Sequence, residues 1–286
     1  MATDGLTVRV AGPEEVALIL DWAAAEGWNP GHADADCFRV QDPDGFFVAT
    51  EDGVPVAAIS VVTYGEDFAF LGCYIVRPDR RGRGYGLATW KAGLAHGGAR
   101  PIGLDGVVAQ QDNYRKSGFV LVHRNVRYGG TVAPPGRVDP AVVPLASVPF
   151  EALAGYDAAC FPAGRPAFLR AWTTAPGHHA LGILRDGRLA GYAVARPCRQ
   201  GTKIGPLFAD DRAAAEALFD GIAAADSGAG GGGLLFLDVP EPNAAAAALA
   251  GSRGLAPVFE TARMHTRPVR PVARERVFGI TTFELG

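Results

Sequence analysis

With 286 residues, the chain is long enough for two domains of ordinary size, and its 48% apolar content suits a globular protein with a real core. A net charge of -3 excludes a wholly basic nucleic-acid binder, so no nucleic-acid partner is expected. No apolar run reaches the roughly 18 residues of a membrane span, and the first residues, MATDGLTVRV, lack the cationic-then-apolar order of a signal peptide, so no membrane partner and a cytoplasmic location are expected.

In the first half, a short strand at Leu6 to Val10 precedes Pro13, which suits the first turn of a helix running to about Glu26. Val16, Ile19, Leu20 and Ala23 recur along it at helical spacing. Strands are predicted at Gly45 to Thr50, Val54 to Thr63 and Asp67 to Val76, the first two joined by a Glu51-Asp52-Gly53 hairpin turn. A helix over Tyr85 to His96, a strand over Ile102 to Val107, a short helix from Gln110 to Lys116 and a strand from Phe119 to Tyr128 follow. Residues 129–140, rich in glycine and proline, resist helix and strand and contain the linker.

The second half repeats the pattern. Helices are expected near Val148 to Cys160 and Pro166 to Thr174, then strands at Ala180 to Arg185 and Leu189 to Ala195 around an Asp186-Gly187 turn. A strand at Lys203 to Phe208, a helix from Arg212 to Ala225, a glycine loop from Ser227 to Gly233 and a strand from Leu234 to Val239 come next. A helix from about Asn243 to Gly254 and a strand from Pro257 to His265 complete this half. The repeated order implies two related α/β units. The basic tail from Arg267 leads to an apolar strand at Val277 to Leu285, expected to pair with a sheet or cover a site; it is also the segment through which two subunits could exchange.

Cys37, Cys73, Cys160 and Cys198 are scattered without zinc or disulfide spacing, so four free buried thiols are expected. His178 and His179, adjacent on a strand, face opposite ways, so no metal is expected there.

The chemistry concentrates in Leu71 to His96, where an apolar strand ends at Val76, Pro78 stops it, and a loop with Gly82, Gly84 and Gly86 feeds a helix. Amides at such a helix start bind phosphate. The loop lacks the Gly-Lys-Ser/Thr of nucleotide-triphosphate sites and the glycine spacing of dinucleotide sites. Arg81-x-x-Gly84-x-Gly86 after Val76-x-Pro78, with Tyr114-x-x-x-Gly118-Phe119 further on, resembles the GNAT superfamily of N-acetyltransferases in its tandem form.

That resemblance implies two GNAT-like units, each a mostly antiparallel twisted sheet flanked by helices in an α/β (mixed α+β) fold. It places the acetyl-CoA-binding catalytic unit at residues 1–132, a linker at 133–140, a degenerate unit at 141–268 and the tail at 269–286. It further implies that Arg81, Gly82, Arg83, Gly84, Tyr85, Gly86 and Leu87 hold the coenzyme A pyrophosphate and that Tyr74, Ile75 and Val76 pair with the pantetheine arm. Asn113 and Tyr114 fall at the cofactor, with Tyr114 as the acid that protonates the departing thiolate.

An amine nucleophile needs a base, for which Glu66, Asp67, Glu51 and Asp105 are candidates. Backbone amides near Tyr74 to Val76 would stabilise the oxyanion, and Cys73 has no partner histidine that would make it a nucleophile. In the second half, Asp210 and Asp211 stand where phosphates would sit, and Ala250 replaces the tyrosine, so this half is expected to shape the acceptor pocket rather than catalyse. Asp238, Glu241 and Glu260 are candidates to bind a cationic amine, with Trp28, Asn29 and His32 as further acceptor residues. The expected activity is acetyl transfer to a small-molecule amine; an acyl-CoA sensor and a protein lysine acetyltransferase are the alternatives.

Overall fold

Residues 5–226 and 232–286 are described by the computed structural model, so most of the expected Ser227–Gly233 loop lies outside the described residues. The chain begins with β1 (Leu6–Val10) and α1 (Pro13–Ala25), which has Pro13 in its first turn and a Glu15 carboxylate accepting the Gly12 amide at 2.9 Å. Val16, Ile19, Leu20 and Ala23 are its buried face. Next comes α2 (Asp34–Gln41), in a stretch where no helix is expected. Its local sequence is a weak helix former; Asp34 instead holds it from outside, accepting the Gly31 amide at 2.7 Å and pairing with buried Arg196 at 3.0 Å.

The strands β2 (Phe46–Glu51), β3 (Val54–Tyr64) and β4 (Phe68–Val76) form an antiparallel meander. Asp52 (φ 51°) and Gly53 (φ 80°) both take the positive φ that a two-residue hairpin turn requires, as do Asp186 (φ 50°) and Gly187 (φ 73°) in the second half. The first half continues with α3 (Tyr85–Gly97), β5 (Ile102–Val107), α4 (Gln111–Lys116) and β6 (Val120–Val132). β6 therefore runs four residues into the stretch expected to resist strand formation, because Gly129 to Val132 pair with a neighbouring strand on one edge.

The second half comprises β7 (Val142–Pro144), α5 (Phe150–Cys160), α6 (Pro166–Thr174), β8 (His179–Arg185), β9 (Arg188–Pro197) and β10 (Thr202–Ala209). It ends with α7 (Arg212–Asp226), β11 (Gly233–Pro240), α8 (Ala244–Ser252), β12 (Ala256–His265) and β13 (Val277–Gly279). The terminal strand is thus three residues long and pairs with β10 of its own chain, shorter than the expected Val277 to Leu285.

The mixed α/β class is as expected, but the two sheets are one. Strand order is β1-β2-β3-β4-β5-β12-β6-β11-β10-β9-β8-β7, with β13 beside β10. β12, from the second half, lies between β5 and β6 of the first, and β6 in turn pairs with β11 of the second. Among the described residues, β4 with β5 and β10 with β11 are the parallel pairs. A shared core joins the halves: Phe38, Phe46 and Phe70 pack in one cluster with Phe168, Trp172, Tyr192 and Leu285. No helix among the described residues is long and apolar enough to cross a membrane.

Candidate active site

The site begins where β4 and β5 part. They pair only from Ala69–Leu71 to Ile102–Leu104. Beyond Leu71, β4 carries a bulge opposite Ala58 to Ser60, and Cys73 in it takes φ +46°. The strands diverge around a cleft of about 560 Å³ whose walls include Tyr74, Ile75 and Val76 on one side and Asp105, Gly106 and Val107 on the other. Backbone groups on the inner edges are left without a neighbouring strand, which is how a sheet offers hydrogen bonds to an extended ligand.

At the outer end of the cleft the chain leaves Val76, makes a short turn at Pro78–Arg80 and enters α3. Gly84 caps the helix at φ 86°, ψ -4°, a left-handed conformation that costs residues with a Cβ about 1–2 kcal/mol. A Cβ there would meet nothing within 4 Å, so the space over the cap is open. The first helical bond runs from Ala88 N to Gly84 O at 3.2 Å, which leaves the amides of Tyr85, Gly86 and Leu87 without intrahelical acceptors. Those amides and the positive end of the helix make an anion cradle. Gly86 packs close to the cleft wall: a Cβ would stand 2.5 Å from Tyr74 Oη.

Arg81 lines the cleft, donates to the Val76 carbonyl at 3.1 Å and pairs with Glu26 at 2.6 Å. Arg83 is half exposed beside Glu51 at 3.9 Å. Glu51 is held by Arg80 at 3.1 Å and by the Tyr85 hydroxyl and does not line the cleft, so it is not brought to the site as a base.

Tyr114 projects from α4 into the cleft, 8% exposed, its ring stacked on Trp90 at 6.0 Å. Its ring fills the space above Gly106, where a Cβ would come within 2.1 Å of Cε2. Burial pushes the phenol up to about 12, Tyr74 adds to this, and a backbone hydrogen bond with Val107 partly offsets it. The hydroxyl therefore keeps its proton across the neutral range. Asn113 also lines the cleft and donates to Gln110 at 2.7 Å.

Other expected site residues fall elsewhere. Glu66 lies in the β3–β4 turn, at the end of β4 away from the bulge, 91% exposed and paired with Arg100 at 2.9 Å; the structure does not bring it to the cleft. Asp67 is exposed in the same turn. Asp105 does line the cleft, but its carboxylate is gripped by Arg263 at 2.6 and 2.9 Å and accepts from Asn125 at 2.7 Å, leaving it an anchor rather than a free base. Asp238 is buried in a two-pronged ion pair with Arg127 at 2.6 and 2.8 Å and is not a cleft residue. Glu260 points away from the cleft and pairs with Arg124 at 3.0 Å, because alternation along β12 puts its neighbours Phe259 and Thr261 inside. Glu241 accepts the Arg124 amide at 3.3 Å.

Trp28 is in the cleft wall, and its carbonyl accepts from Arg127 and Lys203, both at 3.0 Å. Asn29 instead clasps Gln200, and His32 is exposed. Burial raises the Cys73 thiol well above its ordinary value, which removes it as a nucleophile. All four cysteines are free and buried. Among the described residues no three His, Cys, Asp or Glu side chains are grouped to hold a metal ion.

The tail, expected to pair with a sheet or cover a site, does both, but sequence reasoning did not single out the residues it brings to the cleft. Phe283 and Glu284 line the cleft. The segment is held by the Thr282 hydroxyl, which accepts the Glu284 and Leu285 amides at 3.1 and 2.8 Å, and by the Tyr64 hydroxyl, which donates to the Leu285 carbonyl at 2.9 Å. Arg127 lies over the Phe283 ring at 4.6 Å. The apolar run ending in Phe-Glu-Leu was the available signal, but nothing local says which surface it covers.

Among the described residues, the second half has neither the cradle nor the opening. Asp211 caps α7, accepting the Ala214 amide at 2.9 Å, and Asp210 accepts from the Tyr156 hydroxyl at 2.8 Å. Ala250 is buried in α8, whose Asn243 cap accepts the Ala246 amide at 3.1 Å. β10 and β11 pair only from Thr202–Ile204 to Leu235–Leu237, and where they part, β13 pairs with Leu207 and Phe208 while the Ile280 amide donates to the Asp238 carbonyl at 2.9 Å. The chain's own tail fills the second gap.

Comparison with known proteins agrees with this geometry. The acetyltransferase (GNAT) family model matches residues 14–119, and an acetyltransferase (GNAT) domain model matches residues 153–279. The chain is 29% identical over 280 residues to the holothin acyltransferase of Pseudoalteromonas sp. (strain SANK 73390), covering 98% of this chain and 94% of that one. In fold it is similar to a putative acetyltransferase from Pyrococcus horikoshii, with a TM-score of 0.83 at 22% identity over 100% of this chain and 98% of that one. It is also similar to a tandem GNAT protein from the clavulanic acid biosynthesis pathway, with a TM-score of 0.62 at 14% identity over 92% and 99%. With both halves matched by models of one family, and a cradle, parted strands and a buried tyrosine in the first, the chain belongs to the GNAT acetyltransferases as a tandem acyltransferase with a degenerate second unit.

Proposed function

We propose that the protein transfers an acetyl group from acetyl-CoA to the primary amine of a small molecule by direct attack, within a catalytic unit of residues 1–132 that a 133–140 linker joins to the degenerate unit of 141–268. The observation that carries this reading is one cleft lined by Arg81 and Leu87 at the start of α3, by the parted edge at Tyr74 to Val76, and by Tyr114.

In this reading the α3 amides, with Arg81 beside them, hold the coenzyme A diphosphate, and the β4 edge aligns the pantetheine arm as an added strand. Amides of the bulge face the thioester carbonyl and stabilise its developing negative charge. The amine nitrogen attacks that carbon, the carbon–sulfur bond breaks, and Tyr114 gives its proton to the leaving sulfur. Trp28, Phe259 and Phe283 in the cleft wall support a small acceptor over an extended peptide.

The test is to supply acetyl-CoA with a panel of amines, follow thiol release, and measure coenzyme A binding by calorimetry. Amine-dependent thiol release is expected. Tight binding without turnover on a broad panel would favour a sensor, and absence of both would remove the reading.

A further inference from the structure

Glu284 is 2% exposed and lines the cleft, and the Oε2 of its carboxylate is buried without a hydrogen-bond partner. A buried acceptor in that state costs free energy, and such a cost persists where a ligand or a reacting proton supplies the missing partner. Its backbone is seated against the bulge: a Cβ on Gly72 would stand 2.3 Å from the Glu284 carbonyl oxygen, so the tail and the start of the bulge are in direct contact. The residue next to Gly72 is Cys73, where β4 leaves its neighbour and the thioester is expected to lie.

Several buried polar and charged groups surround it. Arg127 on β6, Arg196 on β9 and Lys203 on β10 all feel the Glu284 charge, and Cys73 on β4 faces it as a neutral thiol. Asp238 on β11 pairs with Arg127 at 2.6 Å, and Asp34 on α2 pairs with Arg196 at 3.0 Å. Lys203 then remains as a buried cation whose ammonium donates to the Trp28 carbonyl.

We infer that Glu284, delivered by the C-terminal tail, is the general base that takes the proton from the attacking amine. This rests on the acetyl-transfer reading above. The amine N–H proton passes to the Glu284 carboxylate as the nitrogen–carbon bond forms. The carbon–sulfur bond breaks with its electron pair on sulfur, which receives the Tyr114 proton. The acid form of Glu284 and the Tyr114 phenolate then return to their starting states by exchange of one proton through the cleft. The base is thus supplied by the last three residues of the chain, beyond the stretch that either family model covers.

Glu284→Gln keeps the shape and removes the base. We expect kcat to fall by about 10²–10⁴ and coenzyme A affinity by calorimetry to stay within about threefold. Formate should partly restore turnover in Glu284→Ala, an effect that a merely structural role would not give. Full kcat in Glu284→Gln, or a Glu284→Ala variant that formate does not restore, overturns the assignment while leaving acetyl transfer intact. Failure of the unsubstituted protein to bind coenzyme A or release thiol overturns the underlying reading instead.

Discussion

Replacing Tyr114 by phenylalanine is the sharpest test of the acid, because the structure separates its ring from its hydroxyl. The ring stacks on Trp90 and covers Gly106, contacts that phenylalanine keeps. Loss of the hydroxyl alone should therefore change stability by no more than about 1 kcal/mol, the net worth of a typical hydrogen bond. The kinetic effect should be larger. Loss of a positioned acid is worth about 10²–10⁴ in kcat, or about 3–5 kcal/mol of barrier at 1.36 kcal/mol per tenfold. The pH profile adds a second reading. Burial holds this phenol at about 12, so at pH 9 about 0.1% is ionised, against about 10% for an ordinary tyrosine.

The stability contributed by the neutral phenol follows the same shift: with the folded value raised above the unfolded one, it is present below pH 10 and lost as pH rises toward 12. The assay is thiol release at saturating acetyl-CoA from pH 6 to 10, with coenzyme A binding and melting temperature measured in parallel. A kcat within threefold of the parent refutes the role. A basic limb near pH 10 that vanishes in the variant would instead support the acid role and refute the raised value, since the tyrosine would then titrate at its ordinary value.

Further perturbations address the cradle, the tail and the core. Gly84→Val places a branched Cβ in the left-handed cap and in the open space above it, so coenzyme A affinity should fall at least about tenfold by calorimetry. Indifferent affinity would dispose of the cradle. Gly72→Ala drives a methyl against the Glu284 carbonyl, and because both atoms involved are on backbones, the tail must lift. Limited proteolysis should then cut within residues 280–286 faster, and kcat should fall; a tail as resistant as before would show that it is not seated there. Asp157→Leu leaves Arg165, fully buried and otherwise bound to Thr281 at 2.9 Å, without its carboxylate. Denaturant unfolding should show a loss of about 3–5 kcal/mol, and a loss below 1 kcal/mol would mean the pair is not buried as described.

What could be read in the sequence was what the chain decides locally. The hairpin turns at Asp52-Gly53 and Asp186-Gly187, and the glycine cap of α3, depend on conformations that few residues adopt, so their positions are written in composition. Asp210 and Asp211 likewise announce a helix start. What could not be read depends on partners distant in the chain. The alternation along β12 identifies a strand but not the edge it joins, so the insertion between β5 and β6 was invisible, and with it the direction in which Glu260 faces. Asp238 looked like an acceptor site because its partner, Arg127, is 111 residues away. The tail looked like a strand because its buried residues are apolar, whereas most of it is a loop pinned by Thr282, Tyr64 and Arg127.

The loan of β12 to the first half and of β6 to the second has a consequence for how the molecule can change over time. A duplicated gene whose copies merely sit side by side can discard the one that has stopped working. Here, deleting the idle copy would also tear a strand from the middle of the working sheet and expose its edge to other chains. Its active-site sequence is free to drift, but its framework is not.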